Sequence, residues 1–222
     1  MTRAQMRQKS IHAIQSRGCL LVYPLDNRPE PRSLWSELFP RSKMRWEWDS
    51  GGDNRVADLW YLKEELSRSR EVIYSKWFQG RATFFSFEVF IHLLAFLRAR
   101  EMAERVQGES RDALDYLQND SPLSTKQLKA ALELEGRLLE PTYNRALKPL
   151  WQNGLIVAFG EFEDSSFPSL GIGATTTLFE DLWNESADLA PDAAGDYLLQ
   201  ALGERNPFYK FALKIRKLSF PS

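Results

Sequence analysis

Ser124-Thr125-Lys126-Gln127, then Pro141-Thr142-Tyr143, then Asn153-Gly154-Leu155-Ile156-Val157-Ala158-Phe159 is the succession on which the reading of this chain turns. Ser124 and Gln127 are spaced as a capping box, in which each side chain satisfies an amide that a helix start leaves free. Leu128, Ala131 and Leu132 would then share the inner face of that helix. Pro141-Thr142 opens a second helix with Tyr143, Ala146, Leu147, Leu150 and Trp151 facing inward, and Asn153-Gly154 supplies its left-handed stop. Pro149 is expected to kink or shorten it, because the ring meets the carbonyl of Arg145. Upstream, Ser110 suits the cap of a helix through Asn119 that buries Ala113, Leu114 and Leu117. Downstream, Leu155–Phe159 reads as a strand, Pro168 and Gly173 fall in a polar loop, and Thr175–Phe179 reads as the returning strand.

Three short helices followed by a hairpin predict a winged helix over 109–183. The N-terminal part mixes elements. Met1–Gln15 reads as a helix, Gly18–Tyr23 as a buried strand, Ser33–Phe39 as a short helix and Lys43–Trp48 as a half-buried strand of alternating character. A helix over Val56–Leu66 precedes Val72–Phe78 and Ala82–Phe85, which pair across Gln79-Gly80-Arg81. Ser86 then caps one helix running to about Glu104, and Gly108 marks a boundary. Beyond 185, helices are expected over Asp192–Leu202 and Phe208–Leu218, the second carrying the apolar stripe Phe208, Phe211, Ile215 and Leu218 within a basic surface. The expected class is α+β: tandem winged-helix-like units over 1–107 and 108–185, with a helical segment over 186–222.

Composition narrows the function classes. The 222 residues contain 43% hydrophobic side chains, enough for a substantial core. No apolar run approaches the roughly 20 residues of a membrane span, and Met1–Ser10 lacks the apolar stretch of a secretory signal, so a cytoplasmic protein is expected. The single Cys19 sits in an apolar run and reads as a small buried hydrophobe. His12 and His92 lie far apart without partners of metal-ligand spacing, so no zinc site is expected, and no phosphate-cradling glycine loop or other cofactor motif is present. The net charge of −1 conceals an asymmetry, because residues 1–106 carry 18 Lys and Arg against 13 Asp and Glu while 107–222 carry 11 against 17. A polyanion would be drawn first to the N-terminal half.

A winged helix lays its third helix in the major groove, with phosphate contacts fixing its angle. The candidate contacts to double-stranded DNA are therefore Arg145 and Lys148, with Thr142, Asn144 and Gln152 for base edges or phosphates and Lys126 and Lys129 for the backbone. The hairpin acids Glu161, Glu163 and Asp164 would oppose phosphates if they faced the duplex. Five of seven tryptophans lie in the basic half, where Arg45, Trp46 and Trp48 form a mixture able to stack bases and hold phosphates. For base excision, which needs a carboxylate or amide to position water and a pocket for an extruded base, Asp26 in Tyr23-Pro24-Leu25-Asp26-Asn27 is the best-placed candidate.

These segments resemble the winged-helix DNA glycosylases typified by AlkZ, and more closely a set of shorter AlkZ-related proteins of unassigned activity. The resemblance runs from Gly18 to about Leu202. Leu34-Trp35-Ser36-Glu37-Leu38 looks like the family's Leu-Trp-Ser-Arg-Leu segment, and Phe78–Phe85 looks like its Arg-Gly-Thr hairpin. The family's water-activating Gln-x-Gln or Gln-x-Asp motif corresponds to Pro24-Leu25-Asp26, where the final acid alone remains. Phe85 stands at the hairpin's usual histidine, and the sequence stops before the family's C-terminal barrel. Three readings stay open: a DNA-binding protein that acts on or senses damaged DNA, a monofunctional glycosylase using Asp26 on alkylated bases, and an interaction module meeting a protein partner through the wing and C-terminal helix.

Overall fold

Gly18, at a φ of 73°, ends the first helix and feeds the chain directly into a buried strand. The computed structural model describes residues 1–46, 53–164 and 168–220. Its N-terminal half comprises α1 (Arg3–Arg17), β1 (Cys19–Leu21), α2 (Leu34–Leu38), α3 (Arg55–Arg68), β2 (Ile73–Ser75), β3 (Thr83–Phe85), α4 (Phe87–Phe96) and α5 (Ala99–Arg105). Next come α6 (Glu109–Asn119), β4 (Leu123–Ser124), α7 (Thr125–Ala131), α8 (Glu140–Gln152), β5 (Ile156–Phe162) and β6 (Ser169–Ala174). The last elements are α9 (Thr175–Leu178), α10 (Glu180–Ala187), α11 (Pro191–Leu202) and α12 (Pro207–Ser219).

The architecture is α+β. One antiparallel sheet orders its strands β1-β3-β2-β5-β6-β4, so the hairpins of the two halves join edge to edge where Tyr74 pairs Ala158. The sheet thus runs continuously across the boundary expected at Gly108. Ile14, Leu20, Leu34, Leu59, Phe84 and Leu150 are among the core side chains on its covered faces. A second link between the halves comes from α3. Ser67 Oγ accepts the Gly160 N–H at 2.9 Å, the Arg68 guanidinium donates to the Glu161 carbonyl, and Lys63 pairs with the Glu161 carboxylate at 2.6 Å. These contacts fall where β5 shifts register between Ala158 and Glu161, with Gly160 at a φ of 72°. A β-bulge of this kind leaves an unpaired amide that a neighbouring side chain can satisfy.

Several local expectations change. The returning strand is Ser169–Ala174, and Thr175–Leu178 forms a helical turn instead. Gly171 and Gly173 read as loop residues, yet a Cβ on Gly171 would lie 2.4 Å from the Phe159 carbonyl oxygen and one on Gly173 2.2 Å from Leu178. Close approach to β5 and α9 therefore selects glycine within a strand. The segment from Lys43 is not a strand up to Trp46. Asn27 takes the place of a partner strand, accepting the Met44 N–H at 2.7 Å and donating to the Met44 carbonyl at 3.0 Å. The helix expected to run to Glu104 breaks into α4 and α5 at Arg98, which is left-handed at a φ of 52°. Gly108, not Ser110, precedes α6, and Ser110 Oγ donates instead to the Ala146 carbonyl at 2.8 Å. Helix α8 continues past Pro149 to Gln152.

The C-terminal helix docks. Phe208, Phe211 and Ile215 are buried, and Phe211 meets Trp77 edge-on with ring centroids 4.9 Å apart. Leu218 remains 67% exposed at its end. Among the described residues, no helix is long and apolar enough to cross a membrane.

Candidate nucleic-acid interface

Helix α8 is amphipathic because its apolar residues recur every three or four positions, and its burial follows that pattern. Tyr143, Ala146, Leu147, Leu150 and Trp151 are buried, while Asn144, Arg145 and Lys148 are exposed. Asn144, Lys148 and Gln152 stand four residues apart and so form a single polar line along the helix. That line borders a groove of about 530 Å³ between α8, the turn after β2 and α12. Trp77 fixes the wall by donating its indole N–H to the Gln152 carbonyl at 3.0 Å while packing on Phe211. Three lysines, Lys76, Lys148 and Lys214, line this groove, and among the described residues no carboxylate does. Trp77, Tyr143, Trp151 and Phe211 provide its aromatic surface.

A second concavity of about 580 Å³ adjoins the first through Lys76, Thr125, Tyr143 and Asn144. It is differently charged. Lys63 is paired with Glu161, and Lys129 with Glu140, while among the described residues their neighbour Lys76 has no carboxylate at ion-pair distance and no hydrogen bond. Burial, followed by repulsion from Lys63, holds the Lys76 ammonium below the usual lysine range; Glu140 opposes this and Lys129 adds to it. The hydroxyls of Tyr23 and Tyr143, which line the same concavity, are buried and have no hydrogen-bond partner among the described residues. Burial, with the nearby Glu161 and Glu140 respectively, raises their pKa and keeps both protonated.

The remaining candidates are distributed over the surface. Arg145 is exposed and donates to Thr142 Oγ1 at 3.2 Å, outside the groove lining. Lys126 donates to the Asp164 carbonyl at 2.8 Å, and Lys129 also lies 4.8 Å from the Tyr143 ring centroid, so both α7 lysines are engaged within the protein. Arg45 is exposed, and Trp46 is 36% exposed and tilted against Tyr23 with centroids 5.3 Å apart. Trp48 lies outside the described residues. Asp26 sits on an exposed loop at a φ of 50°, with its side chain 70% exposed and Arg28 3.9 Å away. It does not line the groove.

The hairpin acids are also largely occupied. Glu161 is held by Lys63, and Asp164 accepts hydrogen bonds from Ser124 and then Ser169, which lower its carboxyl pKa. Composition did not single out Lys76, Lys63 or Tyr143 for chemistry. The one available signal was a charged lysine inside the mainly apolar and aromatic run Ile73–Phe78.

The fold and groove thus define an α+β protein whose lysine-rimmed, aromatic-walled cleft lies beside an amphipathic helix and hairpin. The chain belongs to the AlkZ-related family, whose model matches residues 5–217. No curated protein and no solved structure matches it significantly.

Proposed function

We propose that this protein binds DNA as a winged-helix member of the AlkZ-related family and takes up an unstacked nucleotide at a damaged position. The observation that carries the reading is the groove with three lysines, four aromatic side chains and no described acid. Phosphates seek the lysines, and a base removed from its stack regains part of the stacking energy against aromatic rings. Asn144 and Gln152 add amide donors and acceptors along α8, the groups that read base edges. Helices α6, α7 and α8 with the β5–β6 hairpin form the winged helix of this proposal, and α12 completes the groove through Phe211 and Lys214. Asp26 is given no part in it, because its side chain is 70% exposed and does not line the groove.

The test is fluorescence anisotropy on two duplexes, one intact and one with a single abasic-analogue position, across a salt series. Tighter binding of the lesion duplex is expected. Lys148→Ala with Lys214→Ala should make the log–log salt dependence shallower by about 2, one for each lost phosphate contact. Absence of binding at low salt, or an unchanged slope in the folded double variant, would remove the reading.

A further inference from the structure

A cation withdrawn from water normally finds a carboxylate, and the cleft behind the groove shows this twice: Lys63 with Glu161, and Lys129 with Glu140. Lys76 is the exception. It lines both concavities, is half-buried, and has neither an ion pair nor a hydrogen bond among the described residues. Around it stand two further ammonium groups and two buried tyrosine hydroxyls that have no partner among the described residues, Tyr143 being only 3% exposed. A desolvated lysine beside other cations is the arrangement that frees an amine for nucleophilic attack on a carbonyl. Orphaned hydroxyl donors beside it are what a reacting oxygen would satisfy.

We propose that Lys76 captures the aldehyde of a ring-opened abasic sugar in DNA, forming an imine with it. The proposal rests on the DNA-binding reading, since the groove must bring the sugar to the cleft. Lys76 Nζ attacks C1′ with its lone pair, the carbonyl π bond opens onto oxygen, and transfer of a proton from nitrogen to that oxygen gives a carbinolamine. Loss of water, taking the carbinolamine hydroxyl and the remaining amine proton, leaves the carbon–nitrogen double bond. Aldehyde and amine are therefore converted to imine and water with no change in oxidation state. Tyr143, kept protonated by burial, is the hydrogen-bond donor available to the oxygen as it leaves. The lowered proton affinity of Lys76 agrees with an amine that is free to react nearer neutral pH than a surface lysine.

The experiment uses the full chain, a duplex with one natural abasic site, and cyanoborohydride to reduce the imine to a stable amine. A covalent complex on a denaturing gel, mapped by peptide mass spectrometry to Lys76, is the expected result. Lys76→Arg and Lys76→Met should each lower the trapped yield at least tenfold at protein concentrations that saturate the DNA. The arginine variant retains the charge and guards against loss of fold. A duplex with a tetrahydrofuran site, which has no aldehyde, reports binding separately. If that duplex binds and no complex is trapped, or if the cross-link maps to another lysine, the nucleophile is overturned and the DNA-binding reading stands. If neither duplex binds, the reading falls and the imine with it. Glycolaldehyde with the same reductant supplies a DNA-free check, in which Lys76 should be alkylated ahead of the other lysines; indifference among them would also overturn the proposal.

Discussion

Replacing Lys63 by Met keeps most of the side chain's apolar stem on α3 and removes the charge that faces Glu161. The consequence follows from burial. The two side chains are 6% and 11% exposed, their charged atoms are 2.6 Å apart, and the pair ties α3 to β5 across 98 positions of sequence. Removing one partner of such a pair leaves an uncompensated buried charge, at a cost of about 3–5 kcal/mol. Lys63 also stands 3.6 Å from the Trp60 ring centroid, and that smaller attraction is lost as well. Lys76 lines the same cleft and would partly answer the freed carboxylate, so a value near the lower end, about 3 kcal/mol, is expected. Lys63→Met with Glu161→Leu should recover to within about 1 kcal/mol of the parent, since two apolar groups replace the pair. Urea unfolding followed by tryptophan fluorescence measures both. A single variant costing under about 1 kcal/mol, or a double variant as unstable as the single, would refute the argument that α3 and β5 are joined through a buried ion pair.

Two further outcomes test the parts that shape the groove. Gly154→Ala should destabilise the protein by about 1–3 kcal/mol in urea unfolding, because a left-handed alanine is strained and its Cβ meets a packed neighbour; Gly154 has a φ of 67° and that Cβ would lie 2.8 Å from Leu94. The Asp164 carboxyl is lowered by Ser124, then Ser169, so its favourable contribution is present above the unfolded aspartate range and disappears as pH falls through its folded value. Ser124→Ala should move the Asp164 titration, followed by NMR, up toward an ordinary aspartate, and an unmoved titration would contradict the hydrogen bond.

Local sequence determined the helix and turn signals that depend on neighbours a few residues apart. The Ser124–Gln127 box, the Asn153-Gly154 stop, the hairpin centred on Gly80 and the breaks flanking α11 and α12 all follow from caps, positive φ and apolar period. The apolar stripe of α8 was equally legible, and with it the line Asn144, Lys148 and Gln152 on its other side. Local rules misplaced β6 because its glycines answer to Phe159 and Leu178, which only the folded sheet brings near. They also could not tell that Asn27 would serve Met44 in place of a strand, or that the chain would bend at Arg98. The cleft belongs wholly to tertiary structure. Lys63, Lys76, Lys129, Glu140 and Glu161 come from both halves of the chain, and pairing depends on distances in space that spacing along the sequence does not encode. Composition supplied the charges; the joining of the two hairpins at Tyr74 and Ala158, with α3 laid over β5, decided which of the cleft's lysines meet a carboxylate and that Lys76 meets none among the described residues.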